Sequence, residues 1–352
     1  MKFDNQTLEL LEERRRQLTK PKWDGPDAMI GGITQSFIDR WLECPFRAYI
    51  YWILGLDENR KINDNLIWGD TLHKGLEHYI PAGSIITDAI AKMQAYLAET
   101  YPGSNPTFKH TTAEMLKLYD KNYVVMNGLE DSLVTEHKFV EDYAYDYSNE
   151  HKYVVIRGKA DGYSKPLRFG AEHKCKGRAE FASARRESPI DKQVLIYSKF
   201  LNIRHWVYDI ICIPEAKYMI PQRRPAETSE AYARRLFYGD TGKDLPISRN
   251  KHAWLHQFTF DVTKQQIDEF EDYTFKPMIK RIVAWWNHVT ADGFCLTDPR
   301  YYNEHFYITP IRHFDPSNTE YYKCRYWDLL AGEQQVEDLI EVESFYSELE
   351  EV

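Results

Sequence analysis

The chain reads as an α/β protein: a central mixed β-sheet flanked by helices, with a helical N-terminal part and a C-terminal extension. Three observations predict this. Strand-like apolar runs cluster in mid-chain, at Ser132 to Val140, Tyr153 to Ala160, Leu167 to Ala171 and Trp206 to Ile213. Helical periodicity precedes them and returns between the last two, at Asp191 to Leu201. The order helices, three strands, helix, strand fits a layered sheet with helical cover. A length of 352 residues, 43% hydrophobic, allows a sizeable core.

Taken in order, residues 1–30 form a charged helical arm ending in a linker with Gly and Pro. Ser36 is a candidate helix cap, with Asp39 three residues on as its capping-box-like partner. That helix carries Phe37, Trp41 and Leu42, and Pro45 resets the chain before Tyr49 to Leu54. Leu66 to Ile80 predicts a second helix, on which His73 and Leu76 share a face. Further helical patterns cover Ile86 to Thr100 and Ala113 to Leu129. The runs Tyr153 to Ala160 and Leu167 to Ala171 are joined by Ser164-Lys165-Pro166 and predict a hairpin.

Residues 31–213 are thus expected to form the core domain. Residues 214–250, with Pro221, Pro225 and many charges, suit a surface insertion or mobile arm with a short helix. Residues 251–352 are expected to form a helical extension packed on the core, with helical patterns at Gln265 to Val289 and Glu333 to Leu349. The aromatic-rich Tyr301 to Tyr326 lies between them as irregular chain.

Composition bounds the chemistry. No apolar run approaches the roughly 20 residues that span a bilayer, so no membrane partner is expected. Met1 to Lys20 lacks an apolar core of the secretory kind, and five widely spaced cysteines do not form a disulfide framework. A reducing cytoplasm, of a bacterium or an infected host, is the expectation. The net charge of −9 argues at first against nucleic acid. Its distribution does not: His151 to His205 holds thirteen Lys or Arg against five Asp or Glu, a net of +8, leaving about −17 elsewhere. Phosphate backbones require local positive charge, not a basic whole. The plain alternative is a solvated surface. No Gly-x-x-x-x-Gly-Lys-Ser/Thr motif is present, which argues against an intrinsic nucleotide-driven motor.

The richest stretch is Asp161 to Tyr197. Asp161 and Glu172, eleven residues apart, stand at the ends of the two apolar runs, and Lys174 follows two residues on. Paired carboxylates with a nearby Lys suit phosphodiester hydrolysis, the carboxylates holding a hard divalent cation and the Lys steadying water or phosphate charge. The Glu-x-Lys triplet alone is weak, since Glu136-His137-Lys138 repeats it and Glu215-Ala216-Lys217 matches it. Order and context add specificity. Cys44-Pro45-Phe46-Arg47-Ala48-Tyr49, Gly69-Asp70-Thr71-Leu72-His73, Gly158-Lys159-Ala160-Asp161 and Gln193 to Tyr197 occur in sequence around it.

In that order these segments resemble the PD-(D/E)XK nuclease superfamily, in its RecB/AddB-like branch of phage and CRISPR-adaptation exonucleases. The resemblance spans Thr34 to about Phe200 and implies a restriction-endonuclease-like core. It implies a Mg²⁺- or Mn²⁺-dependent DNA nuclease, exonucleolytic by analogy, that acts in DNA processing or recombination and suits a phage or other mobile element. Asp161, Glu172 and Lys174 would be catalytic, with Gln193 and Tyr197 beside them. His73, Asp161, Glu172 and the carbonyl of His173 would bind metal. Glu136 resembles an acidic accessory position, and a surface role fits it nearly as well. Arg178, Arg185 and Arg186 are the candidate phosphate contacts.

Each residue also has a plain reading: turn capping for Asp161 before Gly162, a strand-end surface site for Glu172, a solvated charge for Lys174, a core imidazole for His73, an amphipathic helix for Gln193 and Tyr197. Trp206, Tyr208, Tyr218 and Phe237 suit stacking on single-stranded bases, though core positions fit them better. Many relatives tie an early Cys-Pro cysteine to a C-terminal cysteine triplet around an iron–sulfur cluster. Cys44 matches the first position, but only Cys295 and Cys324 lie towards the end, so no cluster is expected. Two other functions stay open, a non-catalytic DNA-binding or scaffold subunit with the same fold and an RNA-directed nuclease. A recombination or single-strand-binding protein is a possible partner.

Overall fold

The computed structural model describes residues 5–28, 31–58, 64–81, 84–122, 132–146, 152–176, 185–214, 223–238, 254–298, 336 and 339–341. The chain is an α/β protein with a mixed five-stranded sheet flanked by helices. It divides into two compact units, residues 1–60, 138–158 and 268–352 in one, residues 61–137 and 159–267 in the other. Among the described residues no helix is long and apolar enough to cross a membrane.

The first unit opens with helix α1 (Asn5–Gln17), whose Leu8 and Leu11 are buried. Its buried Glu12 accepts a hydrogen bond from the backbone N–H of Leu296 at 2.9 Å, and Arg15 donates to the carbonyl of Phe294 at 2.9 Å. Helix α2 (Gln35–Glu43) is capped by Thr34, not Ser36: Thr34 is extended, and its hydroxyl accepts from the N–H of Phe37 at 3.1 Å. Ser36 already lies inside the helix, so its hydroxyl is no longer at the capping position, and Asp39 instead accepts from the Gln35 side chain at 2.9 Å. Cys44 is extended and Pro45 opens the short helix α3 (Pro45–Ala48), as expected from a residue that fixes φ and lacks an N–H.

A π-turn (Tyr49–Ile53) leads to strand β1 (Leu56–Glu58). The core of this unit is aromatic: Trp23, Phe37, Trp52, Trp285 and Trp286 pack with ring centroids 4.5 to 6.1 Å apart.

In the second unit, helices α4 (Asp64–Tyr79), α5 (Ile86–Thr100) and α6 (Phe108–Asn122) pack together. The five-stranded sheet runs β2 (Val134–Asp146), β3 (Lys152–Ser164), β4 (Phe169–Lys176), β5 (His205–Cys212) and β6 (Leu255–Asp261), in that spatial order, with residues 138–146 of β2 and 152–158 of β3 belonging to the first unit. The strands β3 and β4 are antiparallel, β4 and β5 parallel, β5 and β6 antiparallel. A parallel pair needs a crossover, and helix α7 (Lys192–Phe200) supplies it, capped by Asp191, which accepts from the N–H of Gln193 at 2.8 Å. Helix α8 (Ser229–Tyr238) packs on α6 and is the short helix expected in the charged insertion, whose residues 215–222 and 239–253 lie outside the described residues.

Helix α9 (Lys264–Phe270), a π-turn (Glu271–Phe275) and helix α10 (Lys276–Val289) follow, matching the expected helical run.

Three expectations are corrected. Strands β3 and β4 are longer than the apolar runs, so Asp161 and Glu172 stand inside strands and not at their ends. Residues 251–352 are not helical throughout: β6 joins the sheet beside β5. And Leu339–Glu341 is not helical but forms a strand, β7, antiparallel to β1, where it satisfies the backbone groups of a short strand that needs a partner. The remainder of Glu333 to Leu349, apart from residue 336, lies outside the described residues, as do Tyr301 to Tyr326 and residues 123–129.

Candidate active site

The site forms where strands β3 and β4 part. Their ladder runs from Ser164↔Phe169 to Gly162↔Ala171, and one further step would oppose Asp161 to Glu172. At that step a side chain takes over: the carboxylate of Asp161 accepts the backbone N–H of His173, 2.8 Å from Oδ2. The other oxygen, Oδ1, lies 3.9 Å from Nδ1 of His73, which projects from α4. Two residues far apart in sequence are thus brought to one carboxylate by the packing of α4 on β4. Gly69, one turn before His73, permits that approach, since a Cβ built there would lie 3.2 Å from Cβ of Cys175 in β4.

Side chains alternate along a strand. Glu172 and Lys174 therefore share one face of β4, and His173 and Cys175 the other. Helix α7 covers the first face and completes a closed arrangement there. Nε2 of Gln193 donates to both oxygens of Glu172, at 3.0 and 3.1 Å, and its Oε1 accepts from Nζ of Lys174 at 2.6 Å. Lys174 and Glu172 pair directly at 2.5 Å. Glu172 is 2% exposed and Lys174 29%, so the carboxylate is a buried anchor and the lysine side chain is partly exposed. Asp161 is 13% and His73 30% exposed, so both are accessible at the same opening.

The electrostatics follow from two carboxylates taken out of water together. Burial, and after it the charge of Asp161, push Glu172 up to about 7, against the pull of Lys174. Burial works the same way on Asp161, but His73, His173 and Lys174 outweigh it and hold Asp161 below its ordinary value. Burial also lowers His73, keeping its imidazole neutral and able to act as a ligand near neutral pH. Burial opposes the charge on Lys174, but Glu172 and Asp161 overcome it and raise its pKa, so the ammonium group stays charged. Tyr197 is raised chiefly by burial and remains a phenol.

Tyr197 is itself buried and donates to the carbonyl of Lys159 at 3.0 Å, tying α7 to β3. It stands beside the site as a strut. Glu136 is also brought to this region: it pairs with Lys159, and the charge of Asp161 adds to burial in raising its carboxyl. Its φ of 51° is in the left-handed region, which is costly for a residue other than Gly, by about 1–3 kcal/mol. Arg185 and Arg186 are exposed, while Arg178 lies outside the described residues. Trp206, Tyr208 and Phe237 are buried core side chains, and Tyr218 lies outside the described residues.

Carboxylates suit Mg²⁺ or Mn²⁺, and a neutral imidazole suits Mn²⁺ better than Mg²⁺. His73 Nδ1 and Asp161 Oδ1 are near enough to share one ion, while Glu172 is turned to Lys174 and Gln193. As the side chains stand, no group of three His, Cys, Asp or Glu among the described residues is gathered tightly enough to hold a metal.

Two residues of the site were missed by sequence reasoning. Asp209 and Tyr119 lie behind β4, on the His173 face. Nδ1 of His173 pairs with Oδ2 of Asp209 at 2.8 Å, and the Tyr119 hydroxyl donates to that same oxygen at 2.5 Å. A carboxylate in the middle of the apolar run Trp206 to Cys212 was the available signal, since a buried charge needs a partner.

Comparison with known proteins gives little beyond this. No protein-family model matches the chain, and no curated protein matches it. Among solved structures, SSO0001 is similar with a TM-score of 0.27 and 12% identity, over 64% of this chain and 92% of that one. A phage related exonuclease from Haemophilus somnus 129PT is similar with a TM-score of 0.26 and 10% identity, over 60% of this chain and 92% of that one. At these TM-scores and identities neither likeness carries an inference about this chain's activity.

Proposed function

We propose that the chain is a divalent-metal-dependent nuclease of the PD-(D/E)XK type that hydrolyses phosphodiester bonds in DNA, by an exonucleolytic mode. One observation carries the reading. At the opening between β3 and β4, Asp161, Glu172 and Lys174 converge, and Gln193 binds the carboxylate and the ammonium group together.

The residues divide the work. His173 N–H fixes one oxygen of Asp161 and leaves the other facing His73, so this pair presents an oriented anion and a neutral imidazole at the opening. Gln193 holds Lys174 by its side-chain oxygen, which fixes a charged ammonium group beside the carboxylates. There it orients an attacking water or stabilises the negative charge that grows on the phosphate oxygens. Glu172 pairs with Lys174 at 2.5 Å. A Mg²⁺ or Mn²⁺ ion held by His73, Asp161 and Glu172, with the carbonyl of His173, would polarise the phosphate and acidify bound water. Arg178, Arg185 and Arg186 would supply backbone contacts to DNA.

The test is hydrolysis of labelled single-stranded and duplex DNA and RNA with Mg²⁺, Mn²⁺ or EDTA. DNA is expected to be degraded with either metal and left intact in EDTA. Asp161→Ala and Lys174→Ala should each lower turnover by orders of magnitude in folded protein, whereas Lys138→Ala, in the second Glu-His-Lys triplet, should matter far less. Full activity in Asp161→Ala or Lys174→Ala would overturn the site. Binding without hydrolysis would point to a scaffold role, and cleavage of RNA alone to an RNA-directed enzyme.

A further inference from the structure

The buried face of β4 carries a polar chain that the chemistry above leaves unused. His173 and Asp209 are direct cross-strand partners in the parallel β4–β5 ladder. Their side chains meet at 2.8 Å, and Tyr119 of α6 closes the chain on the same Asp209 oxygen. All three are almost wholly buried: Tyr119 is 1%, His173 2% and Asp209 0% exposed. The rings of Tyr119 and His73 both stand edge-on to that of His173, with centroids 6.0 and 6.2 Å away.

This arrangement is expensive for a core. A buried carboxylate must be compensated, and here compensation is incomplete. Nε2 of His173 and Oδ1 of Asp209 have no hydrogen-bond partner among the described residues. Burial works against a charged imidazole, yet the bond and charge of Asp209 prevail and raise His173. A packing role would be served better by apolar side chains of the same size, since replacing such buried ionic groups by hydrophobes is often neutral or stabilising.

The position of the chain suggests what it is for. The backbone N–H of His173 is the group that holds Asp161. It does so just past the last β3–β4 pair, Gly162↔Ala171, so beyond it no β3–β4 pair fixes that peptide. Its alternatives are the ladder to β5 and the His173 side chain, and both lead to Asp209 and its strand.

We propose that Asp209 and Tyr119 are positioning residues that act through His173 on Asp161. They pin the imidazole from behind the sheet, hold the His173 peptide at its angle, and so set the carboxylate that faces His73. For its consequence in turnover this rests on the nuclease reading; for its geometry it does not.

The test uses the full-length chain with two variants that keep shape, Tyr119→Phe and Asp209→Asn, and Tyr163→Phe as control. Tyr163 also loses a buried hydrogen bond, from its hydroxyl to the carbonyl of Leu201, but it has no part in the chain. In protein labelled with ¹⁵N-histidine, the His173 amide should exchange with solvent about tenfold faster in Tyr119→Phe and Asp209→Asn, as a hydrogen bond loses its fixed donor. Tyr163→Phe should leave it unchanged. Turnover on DNA should fall about five- to thirtyfold in the two variants, with KM for DNA within about twofold, because the loss lies in orientation and not in substrate contact.

An unchanged His173 amide in Tyr119→Phe overturns the proposal whatever the turnover. A faster amide with undiminished turnover overturns the role in catalysis. A faster amide in a protein whose wild type hydrolyses no nucleic acid sinks the nuclease reading and supports the positioning chain. Should Asp209→Asn not fold, Tyr119→Phe alone decides.

Discussion

Replacing Gly69 by alanine tests how His73 is brought to the site. Gly69 lies in α4, one turn before His73, and its missing side chain faces β4. A methyl group there would stand 3.2 Å from Cβ of Cys175 and 3.8 Å from its Sγ. Carbon atoms pack at about 3.5–4.0 Å, so a few tenths of an ångström must be found. The Cβ of Cys175 cannot turn away, because it is fixed to the backbone of β4 next to Lys174. The displacement therefore falls on α4 and on the imidazole it carries. Alanine favours the helix by about 1 kcal/mol over glycine, while overpacking costs about 1–3 kcal/mol, leaving a net loss of about 0–2 kcal/mol. The melting temperature should fall by a few degrees at most.

Activity is more sensitive. A misplacement of about 1 Å costs about a hundredfold, so a few tenths should cost several-fold to about tenfold in kcat. Removing the obstacle in Gly69→Ala/Cys175→Gly should return most of the turnover and show coupling of about 1 kcal/mol or more between the two positions. Thermal unfolding and DNA hydrolysis with Mn²⁺, run on all four proteins, decide the matter. If Gly69→Ala gains the full helix preference and keeps wild-type kcat, α4 is not seated by this contact and the reasoning fails.

The shifted carboxyl of Glu172 should make stability depend on pH. Its pKa is raised from the ordinary 4.5 to about 7, so between these values the unfolded chain is ionised while the folded one holds its proton. Stability in EDTA should therefore fall as pH rises through that window, by about 3 kcal/mol in all, and Glu172→Gln should flatten the slope measured by thermal unfolding. Added Mn²⁺ at pH 8 should recover much of the loss in the wild type, and a slope equally steep in both proteins would refute the assignment. Thr34→Ala should destabilise the chain by about 1 kcal/mol through loss of the α2 cap, and Ser36→Ala by less than about 0.5 kcal/mol, as read by chemical denaturation. Neutralising Arg178, Arg185 and Arg186 together should weaken DNA binding and reduce its log–log salt slope by about 2–3; an unchanged slope would make that surface merely solvated.

Much of this was legible where local chemistry and tertiary structure agree. Asp191 and the apolar residues after it announce a capped helix, and Gln193 lies at its start as expected. The hairpin and its two acids follow from apolar runs and a turn. The parting of β3 from β4 does not, because strand length tells nothing about where ladder bonds cease and a side chain replaces them. Strand β6 was readable but overlooked: Leu255 to Asp261 alternates, with His256, Phe258 and Phe260 on one face, and its charged surroundings hid the period. The Leu339–Glu341 strand lacked any local mark, because its partner lies near the other end of the chain. Asp209 gave the clearest unused signal, a lone acid in a strand otherwise apolar.

The pairing of β7 with β1 bears on the order in which the protein can be made. Leu56 meets Glu341, so this small sheet cannot close until Glu341 has left the ribosome. The unit of residues 61–137 and 159–267, which holds every residue of the candidate site, contains no residue beyond Ile267. Its last residue precedes Glu341 by 74 residues, so its sequence is complete before the β1–β7 pair can form. At about 5–20 residues per second, that interval lasts on the order of 4–15 seconds, long against most folding events. The carboxylates, lysine and histidines can thus be assembled before the N-terminal segments receive their last strand, and the catalytic centre precedes the body that shares its chain.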